Sequence, residues 1–274
     1  MGRQLHRVAL FGYPLGHSVS PAMHHAAAEA LGIELSYEPC PVQAGALPEA
    51  FGALRSEPWL GANVTLPHKP AVAALVDALT SLAHRIGAVN TVYKRDGRLV
   101  GENTDAPALV RCLRESLALQ PLDERALVIG AGGAARAALI ALLDAGVRSV
   151  TIWNRTCERA TALAASVAGH DAASGGLLVV DDAALPQALA QATLVVNATS
   201  VGLDGESTPL ADLPRTQDAR LFDLVYGPDG TPLVRQARRY GWHAQDGLWM
   251  LVYQAALAFE LWTGMQPPER IMYD

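Results

Sequence analysis

Residues 125–137 read Arg-Ala-Leu-Val-Ile-Gly-Ala-Gly-Gly-Ala-Ala-Arg-Ala, and the reading of this stretch decides the fold. The apolar run Ala126–Ile129 has the length and β-branched content of a buried strand, and Gly130 to Ala135 follow the spacing G-x-G-x-x-G/A that turns a strand into a helix. Each small residue has a physical task. Gly130 makes the tight turn, Gly132 removes the side chain that would keep a pyrophosphate from the backbone, and Ala135 lets the helix sit close on its strand. With Ala131, Gly133 and Ala134 they expose the amides of a helix N-terminus to an anion, so the expected ligand is a dinucleotide.

Strand-length apolar runs recur beyond this turn at Ser149–Trp153, Leu177–Val180, Leu194–Asn197 and Leu221–Leu224, separated by alanine-rich helical patterns. Alternation of this kind predicts a parallel, doubly wound sheet. Before the turn lies a second α/β pattern. A strand is expected at Arg7–Phe11, then a helix with Ser20 as N-cap, Pro21 in its first turn and Gly32 closing it after Leu31. Further strands are expected at Leu35–Glu38 and Ala62–Leu66, with a helix over Ala46–Leu54 between them. The helix Ala106–Leu117 is the predicted crossover, leading into a linker at Gln120-Pro121-Leu122. The helix Leu248–Thr263 is apolar almost all round and is expected to return to the first domain. The reading is therefore an α/β protein of two domains: a mostly parallel N-terminal domain over residues 1–105 completed by 246–274, and a Rossmann-like domain over 106–245.

Composition narrows the classes of function. Half of the 274 residues are apolar, 18% are charged and the net charge is −6, which speaks against a nucleic-acid binder or a protein held on anionic lipid. Cys40, Cys112 and Cys157 show no paired spacing, so neither a disulfide framework nor a zinc site is expected. His24 and His25 are adjacent on a helix and face different ways, so no metal site is expected there either. The N-terminal apolar run is too short for a signal segment and no membrane span is expected, which leaves the cytoplasm as the default compartment.

The tip of the strand after the glycine turn selects the cofactor. A site for NAD usually carries Asp or Glu about 20 residues on, to hold the free ribose hydroxyls. Here the tip reads Asn154-Arg155-Thr156, with Arg159 one helical turn further, so guanidinium groups stand where a 2′-phosphate would lie and NADP is the expected cofactor.

A polar cluster marks the first domain. Asn63 and Thr65 share one face of their strand by its two-residue period, and Lys69 follows just beyond. Residues 88–95 and 98–105 flank Asp96-Gly97, a type I′ hairpin signal. Pairing Arg95 with Arg98 sets Asn90 opposite Asn103, and Asp105 then lies diagonal to Asn90, roughly 7–8 Å away between backbones. Asn90 and Asp105 can thus converge on one small ligand. Asp105 also suits the N-cap of the following helix. An ammonium beside a carboxylate is what a carbonyl reduction needs, with Lys69 delivering the proton and Asp105 orienting it. Ser18 and Ser20 bring two hydroxyls to a helix N-terminus, a seat for a carboxylate.

In order and completeness these segments resemble the shikimate dehydrogenase family over nearly the whole chain: GYPLGHSVSPAMH at 12–24, NVTLPHK at 63–69, GAVNTV at 87–92, NTD at 103–105, GAGGAARA at 130–137, NRT at 154–156, NATSVG at 197–202, FDLVY at 222–226 and GLWMLVYQAALAFELWTG at 247–264. The resemblance implies reversible NADPH-dependent reduction of 3-dehydroshikimate to shikimate, on the route to chorismate and the aromatic amino acids. It implies Lys69 as the catalytic lysine with Asp105 as partner, Ser18 and Ser20 on the substrate carboxylate, and Asn63, Thr65, Asn90, Asp105, Tyr226 and Gln254 around the ring. Cofactor contacts map to Gly130, Ala131, Gly132, Gly133, Ala134, Asn154, Arg155, Thr156, Arg159, Thr199, Val201, Leu224, Gly247 and Met250. A monomer or homodimer is expected. Two departures stand out: Ala106-Pro107 follows NTD where the family usually has Gly, and His25 stands where Asn is common. An enzyme of the same fold acting on quinate as well, often with NAD, is the alternative; a non-catalytic NADP-sensing or scaffold protein is the reading from another class.

Overall fold

The computed structural model describes residues 5–16, 18–120, 123–168, 177–216 and 218–274. His17 and the Pro121-Leu122 part of the expected linker lie outside them. The chain divides into two compact units, one running to Asp105 and completed by Leu251–Asp274, the other spanning Ala106–Met250.

In the first unit the chain runs through β1 (His6–Gly12), α1 (Ser20–Leu31), β2 (Leu35–Pro41), α2 (Leu47–Gly52), β3 (Trp59–Val64), α3 (Lys69–Val72), β4 (Ala78–Leu79), α4 (Ser81–Ile86), β5 (Thr91–Arg95) and β6 (Arg98–Glu102). The strands form one sheet in the order β2-β1-β3-β5-β6-β4. β1 pairs in parallel with β2 and β3, and β4 with β6, whereas β5 runs antiparallel to both β3 and β6. The hairpin has Arg95 facing Arg98, and Asp96 and Gly97 take φ of 52° and 73°, the two positive values a type I′ turn demands.

Four expectations are corrected here. Ser20 is not the cap of α1 but its first residue: Val19 occupies the N-cap with helical backbone angles, and the Ser18 Oγ accepts the Ser20 amide at 3.3 Å. β3 stops at Val64, so Thr65 and Leu66 lie past the strand, on a turn toward Pro67, which has no amide to continue a ladder. The helix expected over Ala46–Leu54 is a single short helix between two 3₁₀ turns. β2 continues past Glu38 through Pro39 to Pro41, which prolines permit because β2 is an edge strand.

The second unit starts with α5 (Asp105–Leu117), whose first residue closes the other unit, and continues through β7 (Arg125–Ile129), α6 (Gly133–Asp144), β8 (Ser149–Trp153), α7 (Cys157–Ala168), β9 (Leu177–Val180), α8 (Leu185–Gln191), β10 (Leu194–Asn197), β11 (Arg220–Asp223), α9 (Pro232–Arg239) and β12 (His243–Gln245). All pairs are parallel, in the order β12-β11-β10-β7-β8-β9. That is the doubly wound arrangement, with the reversal between β7 and β10, where ligands bind at the carboxyl ends. The central strands read as continuous apolar runs because helices cover both faces; Val128, Ile129, Val195 and Val196 are fully buried.

α10 (Leu248–Thr263) and α11 (Glu269–Tyr273) end the chain; α11 was not foreseen from the sequence. From Leu251 onward they belong to the first unit. The Trp262 indole donates to the Val92 carbonyl at 2.8 Å, and Gly61 explains how this is possible. A Cβ on Gly61 would stand 2.0 Å from that carbonyl oxygen and 2.8 Å from the indole nitrogen.

Candidate active site

Lys69 opens α3 and Asp105 opens α5. Asp105 is thus a first-turn residue, where a negative charge suits the helix dipole, and not the cap of the helix. The Lys69 Nζ donates to Asp105 Oδ2 at 2.7 Å, with the two side chains 25% and 17% exposed, so the pair is sheltered and still reachable. The other carboxylate oxygen, Oδ1, accepts from Asn90 Nδ2 at 2.9 Å. The hairpin register delivers this contact, as the count across Asp96-Gly97 predicts. Backbone bonds tie the three elements together: Val89 N–H donates to the Lys69 carbonyl at 2.8 Å, and Val64 N–H to the Asn90 carbonyl at 2.8 Å. His68, 1% exposed, places Nε2 2.6 Å from the Val42 carbonyl and so pins the turn before Lys69.

Behind the pair lies a buried polar chain. Asn63 Nδ2 faces the Asn90 carbonyl at 3.2 Å and Thr91 Oγ1 at 3.1 Å, while its Oδ1 accepts from the Tyr37 hydroxyl at 2.8 Å. Because a carbonyl can only accept, the orientation of the Asn63 amide is fixed. Asn90 is fixed in the same way: its Oδ1 accepts the Thr104 backbone amide at 2.7 Å, and its second Nδ2 proton goes to Thr104 Oγ1 at 2.9 Å. Both protons of each amide are therefore used inside the protein, and what Asn63 and Asn90 retain for a ligand hydroxyl is a lone pair on Oδ1.

Tyr37 is 2% exposed, and burial pushes its phenol up, partly offset by the Ser20 hydroxyl nearby. The fully buried His24 ring stacks on Tyr37 at 4.5 Å and meets Trp262 at 5.2 Å. Burial pulls His24 down to about 3, so the ring is neutral. His25 Nε2 accepts the Tyr37 backbone amide at 3.0 Å. The two histidines thus serve the seating of Tyr37. Among the described residues no group of three His, Cys, Asp or Glu is placed to hold a metal ion.

Ser18 is exposed and Ser20 half-buried at the start of α1, and Thr65 packs its methyl against Gly12. Gln254, half-buried on α10, donates to the Leu251 carbonyl at 2.8 Å. These residues share the first unit with Lys69 and Asp105. Tyr226 belongs to the second unit, and is exposed after β11.

In the second unit the carboxyl ends of β7 and β10 meet at the reversal. Gly130 takes φ of 114°, and a Cβ there would stand 3.0 Å from the Thr199 methyl and 3.2 Å from the Ala198 carbonyl oxygen. Gly132 and Gly133 face open space, and the N-terminus of α6 has no side-chain cap. An uncovered set of helix amides beside a cradle with no side chains suits a pyrophosphate. At the tip of β8, Asn154 Nδ2 donates to the Thr156 carbonyl at 2.8 Å, and Arg155 and Arg159 are exposed. The residues present fit NADP.

Asp223, at the end of β11, accepts from Asn197 Nδ2 (2.7 Å), the Val225 amide (3.1 Å) and the Thr231 hydroxyl (2.6 Å). Asn197 in turn holds the Thr199 amide at 3.0 Å and its hydroxyl at 2.8 Å. The Asp223 network therefore shapes the loop carrying Thr199 and Val201, and the Gly247 amide bonds the Val225 carbonyl at 3.1 Å. Burial pushes Asp223 up to about 6 against the pull of its donors, and Asp246 adds to the rise. Sequence reasoning missed Asp223, Tyr37, Thr91 and Thr104. Asp223 and Thr104 stand inside the strings FDLVY and NTD, but nothing in a one-dimensional string says that a residue faces inward.

A Rossmann unit with a glycine cradle, joined in one chain to an α/β unit carrying a lysine–carboxylate pair, defines a two-domain NADP-dependent dehydrogenase. Family models match across both units: the shikimate dehydrogenase substrate-binding domain over residues 10–92, shikimate/quinate 5-dehydrogenase over 115–218 and the shikimate 5′-dehydrogenase C-terminal domain over 247–274. The chain is 43% identical to shikimate dehydrogenase (NADP(+)) of Moorella thermoacetica, over 97% of this chain and 90% of that one. It superposes with a TM-score of 0.84 and 43% identity on shikimate 5-dehydrogenase from Thermus thermophilus in complex with NADP(H) and shikimate, covering 98% and 97% of the two chains. Quinate dehydrogenase from Corynebacterium glutamicum in complex with NAD gives a TM-score of 0.89 at 31% identity, over 98% and 97%. The chain belongs to the shikimate dehydrogenase family.

Proposed function

We infer that this chain catalyses the reversible NADPH-dependent reduction of 3-dehydroshikimate to shikimate, with Lys69 and Asp105 as its acid–base pair. The observation that carries the chemistry is the 2.7 Å contact of Lys69 Nζ with an Asp105 carboxylate whose other oxygen is held by Asn90. When bound, NADPH supplies the hydride to the carbonyl carbon. The Lys69 ammonium hydrogen-bonds the carbonyl oxygen and gives it a proton as negative charge builds there; in the oxidative direction the amine takes that proton from the hydroxyl. Asp105 keeps the ammonium aimed through Oδ2, and its carboxylate accepts from the substrate hydroxyl only while the lysine is protonated and donates to that hydroxyl oxygen.

The remaining assignments follow the family pattern. Ser18 and Ser20 seat the substrate carboxylate, while Asn63, Thr65, Asn90, Tyr226 and Gln254 recognise ring hydroxyls, the two asparagines as acceptors through Oδ1. Gly130, Ala131, Gly132, Gly133 and Ala134 cradle the pyrophosphate. Asn154, Arg155, Thr156 and Arg159 hold the adenosine 2′-phosphate, and Thr199, Val201, Leu224, Gly247 and Met250 line the nicotinamide end. Among the described residues no helix is long and apolar enough to cross a membrane. The enzyme is proposed to act in the cytoplasm, as a monomer or homodimer. The test is an absorbance assay of NADP reduction with shikimate: turnover with shikimate supports the assignment, and none under any pH overturns it.

A further inference from the structure

Thr91 and Thr104 are 0% and 2% exposed, and their hydroxyls lie 3.2 Å apart directly behind the Asn90 amide. Among apolar neighbours alone, valine of nearly the same shape would serve at both positions; here each hydroxyl is the acceptor for a buried amide proton, of Asn63 at Thr91 and of Asn90 at Thr104. What the hydroxyls supply is direction. The second Nδ2 proton of Asn90 ends on Thr104 Oγ1 at 2.9 Å, and Thr91 Oγ1 meets both Thr104 Oγ1 and Asn63 Nδ2. The result is an unbroken sequence of hydrogen bonds from Tyr37 through Asn63, Thr91, Thr104 and Asn90 to Asp105 and Lys69. Remove the Thr104 hydroxyl and one Asn90 proton faces a buried space with no acceptor. The amide then gains by turning that proton toward Asp105 or away from it, and the carboxylate loses its single setting.

We propose that the Thr104 hydroxyl, held by Thr91, is a positioning group for the reaction: it fixes the Asn90 amide, which aims the Asp105 carboxylate at Lys69. The proposal rests on the acid–base reading of Lys69 and Asp105. Thr104 reaches the substrate only through Asn90 and Asp105, so its loss acts on kcat more than on KM.

The experiment measures kcat and KM for shikimate, with thermal unfolding alongside, for Thr104→Val, Thr104→Ser, Thr91→Val and Lys69→Ala. Thr104→Val is expected to lose about tenfold or more in kcat, since misplacing a reacting group by less than about 1 Å has effects on this scale, with KM for shikimate changed by a smaller factor than kcat. Thr104→Ser, which keeps the hydroxyl, restores kcat to within about twofold. Thr91→Val shows the same split more weakly and carries the test if Thr104→Val does not fold. Wild-type kcat in the valine variants, a loss confined to KM, or a serine variant as impaired as the valine one overturns the proposal. Lys69→Ala separates the two levels: full turnover in it sinks the acid–base reading itself, whereas a dead Lys69→Ala beside a fully active Thr104→Val sinks only the positioning role.

Discussion

Asn90 donates to Asp105 Oδ1 at 2.9 Å while its own Oδ1 is held by the Thr104 backbone amide at 2.7 Å, so the carboxylate that faces Lys69 is oriented by a side chain that cannot flip. Replacing Asn90 by Ala removes that hold and leaves the Thr104 amide without its acceptor. The expected outcome is a fall in kcat of at least about tenfold, together with a loss of stability of about 1–3 kcal/mol for the unpaired buried amide. Steady-state kinetics and urea unfolding on one preparation check both.

Cofactor choice is predicted to reside at the tip of β8. Arg155→Asp swaps a cation for a carboxylate where the 2′-phosphate is proposed to lie. It should raise KM for NADP by at least about tenfold, equivalent to losing about 1.4 kcal/mol of charge-assisted contact, and improve the use of NAD. Equal KM for NADP in variant and parent would move the phosphate elsewhere. Running quinate beside shikimate in the same assay tests substrate strictness.

The buried histidine gives a pH signature of definite sign. The folded state holds His24 down at about 3, below the ordinary 6.5, because burial disfavours the imidazolium. Its contribution is fully present above pH 6.5 and is lost as pH falls toward 3. At pH 5 the loss amounts to about 2 kcal/mol. Asp223 has the opposite sign, since a carboxyl raised to about 6 costs stability above that pH and the cost is relieved as pH falls toward 3.8. In urea unfolding at pH 7 and pH 5, His24→Leu should show a smaller acid loss than the parent, and Asp223→Asn a larger one. An unaltered difference in His24→Leu contradicts the assignment.

The docking of α10 depends on a missing side chain. Gly61→Ala places a methyl 2.0 Å from the Val92 carbonyl oxygen, against backbone that cannot yield cheaply. A stability loss of about 1–3 kcal/mol is expected, the scale of overpacking in a tight core. Thermal unfolding checks it, and an unchanged midpoint would show that the sheet and α10 can part there at no cost.

Much of this was legible in the sequence because short-range chemistry dictated it. The glycine spacing after Ile129 fixed the cradle, and Asp96-Gly97 fixed the register that brings Asn90 to Asp105. β8, β9, β10 and α10 fall on the residues read from their apolar runs. Local patterns failed where neighbours in space decide. Whether Val19 or Ser20 begins α1 depends on backbone angles set by the loop before it, and β2 runs through two prolines only because the sheet leaves it an edge. His24, read in the sequence only as no metal ligand, is the ring that stacks on Tyr37. Thr91 and Thr104 adjoin residues already singled out, yet that their hydroxyls face the Asn63 and Asn90 amides depends on neighbours in space, which no spacing rule states.

The most direct measurement is the kcat of Lys69→Ala with saturating shikimate and NADP. Transfer of the proton by this lysine predicts turnover lower by at least about 100-fold, with KM for shikimate changed far less. A variant that turns over at the parental rate would contradict it, and would leave the 2.7 Å ion pair with Asp105 as a structural contact only.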